Sequence, residues 1–101
     1  MTQDYIVKGT EVKYKVTLAA SGFDMDSCDF FFTVCCGGKT KTVLKSECIY
    51  DGEYWYLCFD TSGFNPGWMT VDTTALIPDT DFPDGLRVEV VTSTLGILKN
   101  E

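Results

Sequence analysis

The chain contains no histidine. A serine or cysteine nucleophile therefore lacks its usual proton acceptor, so Ser-His-Asp and Cys-His arrangements are excluded and a mixed Cys/His zinc site cannot be completed. Basic residues are scarce as well, 8 against 15 acidic ones, and the net charge of -7 repels phosphate backbones, which argues against a nucleic-acid partner. No apolar run approaches the ~20 residues of a membrane-spanning helix. The start Met1-Thr2-Gln3-Asp4-Tyr5 shows no basic region leading into an apolar stretch. Neither a membrane partner nor a secretory signal is expected, and the product is expected to stay in the cytoplasm of the cell that makes it.

Cysteine is present, but not in a recognisable framework. Cys28, Cys35, Cys36, Cys48 and Cys58 are odd in number and contain no C-x-x-C pair. Free buried thiols, packed as small hydrophobes, are the simplest reading, and four irregularly spaced thiolates around a zinc ion are the alternative. Helical periodicity of useful length is also missing, which turns attention to strands.

What the sequence does have is a core. Hydrophobic residues make up 45% of 101 positions and aromatics 14%, enough for one domain, residues 1–101, built around a single apolar interior. From Glu11 to Leu18, Val12, Tyr14, Val16 and Leu18 alternate with Lys13, Lys15 and Thr17, the period of a half-buried strand. Phe30 to Cys35 is apolar on both faces and reads as a central strand covered on both sides. Gly37-Gly38 reads as a tight hairpin, followed by a returning strand from Thr40 to Ser46 that Ile49-Tyr50 extends. Asp51-Gly52 marks a second turn before Tyr54 to Phe59, and Pro66-Gly67 a third before Trp68 to Thr74. Two prolines, three aspartates and a glycine in Ile77-Pro78-Asp79-Thr80-Asp81-Phe82-Pro83-Asp84-Gly85 then force a loop. The run that follows sets Leu86, Val88 and Val90 on one side and Arg87 and Glu89 on the other, and Gly96 separates it from Ile97-Leu98. Short strands with turns every ~8–12 residues predict an all-β sandwich.

Three groups of residues invite functional readings. Asp24, Asp26 and Asp29, and again Asp79, Asp81 and Asp84, form D-x-D-x-x-D clusters that would serve as turn-forming residues, as a cation site or, least naturally, as a catalytic carboxylate pair. An EF-hand is excluded, because counting from Asp79 places Val90 at the position that needs a bidentate acid, with Glu89 one short. Trp55, Tyr54, Tyr56, Phe59, Phe64 and Trp68 are crowded together. They would fill a core, stack on sugars or anchor a protein interface. Lys8, Lys13, Lys15, Lys39, Lys41 and Lys45 fall mostly in alternating runs, as solvent-facing strand positions do.

The order of signals carries a resemblance. Lys8-Gly9-Thr10 before an alternating strand, a hydrophobic strand ending in Gly37-Gly38, Lys45-Ser46, Asp51-Gly52 before an aromatic strand, and Phe64-Asn65-Pro66-Gly67-Trp68 together resemble the amino-terminal Ig-like domain of phage baseplate upper proteins. The Ile77-to-Arg87 segment is similar to one in small virion proteins of phages and prophages of gut bacteria. Baseplate upper proteins are longer than this chain. The resemblance spans roughly Val7 to Val90 and implies an Ig-like antiparallel β-sandwich of about seven strands. It implies a non-enzymatic virion structural protein, made in the bacterial host cytoplasm, that self-associates and joins or decorates capsid, head fibre, tail or baseplate. Its partners would be other virion proteins and further copies of itself, and no cofactor is expected. The alternative is a module that binds carbohydrate or a host surface through exposed aromatics. Residues 1–8 are a candidate partner-contacting arm, and Tyr5, Ile6, Val7 and the loop residue Phe82 are the expected contacts.

Overall fold

The computed structural model of the chain describes residues 5–16 and 22–100. Residues 1–4 of the expected arm, and Thr17 and Leu18 at the end of the first alternating run, lie outside the described residues. Among the described residues the regular secondary structure is β apart from one 3-10 turn. Strands are β1 (Tyr5–Val7), β2 (Glu11–Val16), β3 (Asp29–Cys36), β4 (Lys39–Leu44), β5 (Ile49–Tyr50), β6 (Trp55–Asp60), β7 (Gly67–Pro78) and β8 (Leu86–Lys99). They form a five-stranded sheet in the order β1-β8-β7-β3-β4 and a three-stranded sheet in the order β2-β6-β5. All pairings are antiparallel except β1 with β8.

Among the described residues there are eight strands rather than about seven. The difference lies in Ile49-Tyr50, which does not extend β4. A 3-10 turn at Lys45–Glu47 interrupts the chain after Leu44, and the next two residues pair with β6 in the other sheet. Leu44 N–H donates to Glu47 Oε1 at 3.0 Å, so a side chain satisfies a backbone donor at the end of β4, an edge strand.

The core forms where period-two alternation from the two sheets meets. Phe30, Phe32, Val34 and Cys36 of β3 point inward, against Val16, Leu57 and Phe59 of the smaller sheet and Met69, Val71 and Leu98 of their own. Phe30 packs edge-on to Phe32 and to Trp55, each at a centroid distance of 5.5 Å. Burial of each such side chain contributes about 1.5–3 kcal/mol. As expected, β3 is central in its sheet, between β7 and β4. Only one of its faces is covered, however, and Phe31, Thr33 and Cys35 remain half-buried on the other.

Turn chemistry holds the two sheets together. Gly37 and Gly38 have φ of 59° and 82°, the left-handed conformations of a two-residue hairpin. Asn65 closes over that hairpin, its amide donating to the Gly37 carbonyl at 3.1 Å. Thr61, fully buried, accepts from Gly9 N–H at 3.0 Å and donates its hydroxyl to the Thr10 carbonyl at 2.7 Å, which ties the β1–β2 turn to the end of β6.

The last strand is longer than its sequence suggests. The run expected to end near Val90 continues to Lys99 as one strand. Partners change from Met69 with Gly96 to Thr70 with Thr94, leaving Leu95 as the extra residue of a bulge. The glycine that reads as a separator therefore sits inside the strand beside an irregularity it accommodates.

Candidate interaction surface

The pairing of β7 with β8 decides which side of β8 meets the core. Met69, Val71, Thr73, Ala75 and Ile77 of β7 are all buried. Their partners toward the hairpin end are Ser93, Val91, Glu89 and Arg87, which therefore lie on the inner side of the sheet. Leu86, Val88 and Val90 consequently face outward, and Val88 and Val90 are 57% and 56% exposed.

Neighbouring strands extend this aliphatic set into rows. Leu44, Phe31, Thr74 and Val90 are consecutive partners across β4, β3, β7 and β8. One step along, Asp29, Leu76 and Val88 are aligned, and beyond them Pro78 faces Leu86. The middle of the same face is polar: Thr42, Thr33, Asp72 and Thr92 form a row in which the Thr92 hydroxyl donates to Asp72 at 2.6 Å. At the far end Tyr5, Ile97 and Trp68 lie side by side, with Trp68 58% and Tyr5 55% exposed.

The outer edge of β8 is open as well. β1 pairs only with Ile97–Lys99, and among the described residues no strand lies beside Val88 to Thr94. Asp79 N–H donates to the Gly85 carbonyl at 2.9 Å, a bond that brackets the Pro78–Leu86 pair. That pair is therefore non-hydrogen-bonded, and by alternation Val88 and Val90 direct their own N–H and C=O groups away from β7, toward the open edge.

Residues 79–85 are held by their own aspartates. Asp79 accepts from Asp81 N–H at 3.0 Å and from the Arg87 guanidinium at 2.6 Å, and Asp84 accepts from Leu86 N–H at 3.1 Å. The Asp81 N–H, with the Arg87 side chain beside it, holds the Asp79 carboxyl below its ordinary range. Asp24 and Asp29 likewise accept from Asp26 N–H and Phe30 N–H. Among the described residues no three histidine, cysteine, aspartate or glutamate side chains converge on a metal position. Phe82, at the tip of the loop, is exposed.

The expected arm is divided in its roles. Tyr5 is presented outward, whereas Ile6 packs on the core and Val7 is half-buried in the sheet. Lys99 Nζ lies 4.9 Å from the centre of the Tyr5 ring. The aromatic cluster is divided too. Leu57 and Phe59 are buried, while on the opposite side of β6 Lys13 and Lys15 lie over the Tyr56 and Tyr54 rings, with the ammonium groups 4.5 and 3.4 Å from the ring centres. Trp55 stacks on Tyr50 at 4.8 Å and donates its indole N–H to Asp26, anchoring the 22–28 loop. Cys28 and Cys36 are buried, Cys35, Cys48 and Cys58 are half-buried, and all five are free. Burial, with Cys58 and Glu47 nearby, pushes the Cys48 thiol up to about 11.

The surface brings together residues that no single motif joins. Leu44, Phe31, Leu76, Val88 and Val90 come from four strands, and the only local signal for them is that β3 and β8 each carry more aliphatic or aromatic residues than one buried face requires. No family model matches the chain, and no curated protein or solved structure is significantly similar to it.

Proposed function

We propose that this chain is a non-enzymatic structural protein of a phage particle, an Ig-like sandwich that self-associates and joins or decorates other virion components. The observation that carries the reading is the outward-facing aliphatic rows around Val88 and Val90, next to an open strand edge. A surface of this kind is characteristic of proteins that dock on other proteins. The strand order supports the Ig-like part. β2, β6 and β5 take the places of the B, E and D strands, and β3, β7 and β8 those of C, F and G, with β4 added beside C. β1 departs from the constant-type arrangement by lying beside β8.

Five free thiols accord with synthesis in a reducing cytoplasm before particle assembly. The carbohydrate-binding alternative draws on one feature, the exposed Trp68 and Tyr5 flanking Ile97. Mass spectrometry of phage particles induced and purified from the cell that encodes the chain tests the reading. The chain is expected as a multicopy component of the particles. Its absence from them, together with retention on a glycan array that Trp68→Ala abolishes, would overturn the assembly role in favour of glycan binding.

A further inference from the structure

We propose that two copies of this chain pair edge to edge through β8, antiparallel across a two-fold axis at Val88, merging two five-stranded sheets into one continuous sheet. The inference deepens the assembly role proposed above and rests on it.

The segment Leu86-Arg87-Val88-Glu89-Val90 is complementary to itself when reversed. With the axis at Val88, Val88 meets Val88 of the second copy, Leu86 meets Val90, and Arg87 meets Glu89 on both sides of the axis. Each pairing is of a favourable kind, aliphatic with aliphatic and positive with negative. Backbone geometry agrees with this register. Val88 and Val90 point their N–H and C=O groups to the open edge, so Val88 exchanges two hydrogen bonds with its counterpart. The N–H of Val90 likewise reaches the Leu86 carbonyl of the second copy. Arg87 and Glu89 then fall at non-hydrogen-bonded positions, where cross-strand side chains approach most closely. Arg87 already bridges Asp79 at 2.6 Å and Glu89 at 3.5 Å, which holds its guanidinium near the strand.

Other registers lose this match. An axis at Val90 sets Glu89 against Val91 and Arg87 against Ser93, so that neither charged residue faces an opposite charge on the second copy. The outer aliphatic rows of the two copies also become contiguous only when their hairpin ends overlap, as they do with the axis at Val88. A two-fold contact of this type uses the same patch twice and closes, giving a dimer rather than a filament. A strand-edge interface is smaller than the ~800 Å² per partner of a standard complex, so the dimer is expected to dissociate on dilution.

Light scattering and hydrogen exchange on the full chain, under reducing conditions, test the proposal. The expected result is a dimer at high concentration whose Val88 and Val90 amides exchange at least ~10-fold more slowly than in the dilute monomer. Val88→Lys places two lysines face to face at an exposed position and is expected to abolish the dimer while leaving the melting temperature within a few degrees. Trp68→Lys, at the far end of the same face, is expected to leave the dimer intact. A dimer that survives Val88→Lys with both amides unprotected overturns edge pairing, as does a chain that stays monomeric up to ~1 mM. So does protection of those amides that arises only with another virion protein. None of these outcomes touches the presence of the chain in particles, which mass spectrometry decides separately.

Discussion

Asp79 shows how one carboxylate organises a loop. It accepts from Asp81 N–H and from Arg87 of the following strand, and its carboxyl titrates below its ordinary value because the charged form makes those bonds. Asp51, which accepts from Glu53 and Tyr54 N–H, and Asp60, bonded to Ser62, are lowered for the same reason. A folded-state value below the unfolded one, about 3.9 for aspartate, means that the stabilisation is complete above that pH and disappears as pH falls through the folded value. Asp79→Asn is therefore expected to lower stability at neutral pH, with the gap to the parent closing as the medium is acidified below about pH 4. Urea denaturation of both proteins across pH measures it, and a gap independent of pH would show that the carboxylate charge contributes nothing. The D-x-D-x-x-D spacing makes this loop visible in the sequence. That Asp79 would bond Arg87 is not visible, because it depends on the hairpin bringing residues on either side of the loop into register.

Among the elements, the β3–β4 hairpin was the most legible and β8 the least. Gly37-Gly38 announces a turn with positive φ, and the turn forms there. What the dipeptide does not announce is that its two glycines differ. A Cβ at Gly37 would lie 2.5 Å from both the Asn65 backbone oxygen and Cβ, whereas at Gly38 it would meet open space. Gly38→Ala is expected to cost about 1 kcal/mol through backbone strain alone, and Gly37→Ala about 3 kcal/mol or more, since Asn65 must also move. Equal denaturation midpoints for the two variants would remove the role assigned to Asn65. In β8 the alternation of Leu86, Val88 and Val90 with Arg87 and Glu89 is correct, but alternation cannot say which side is the inner one. β7 decides it, because Ala75 and Ile77 are buried and pin Glu89 and Arg87 to the same side.

At the scale of the molecule, the long β7–β8 hairpin sets the shape. β8 has 14 residues. At ~3.3 Å per residue it runs nearly the length of a molecule measuring 49 × 29 × 28 Å. Among the described residues the smaller sheet has three strands and leaves the outer face and the far edge of the larger sheet open. Protection from exchange in the dilute monomer is expected to follow this arrangement. Amides of β3, paired on both sides and buried on one face, should exchange slowest, and the outward amides of Val88 and Val90 fastest among the strands. Uniform protection along β8 in the monomer would mean that its edge is covered by part of the chain itself.

The sequence by itself determined the strand periodicity, the core face of β2, the turn at Gly37-Gly38 and the loop built by Asp79, Asp81 and Asp84, since each depends on residues close along the chain. The tertiary structure decided the crossing of the chain at Lys45–Glu47, the continuation of β8 through Gly96, and the outward display of Leu86, Val88 and Val90. Those depend on register between strands far apart in sequence. A one-residue change in register turns every side chain of a strand to the other face, so pairing with β7 chose which half of β8 would face outward.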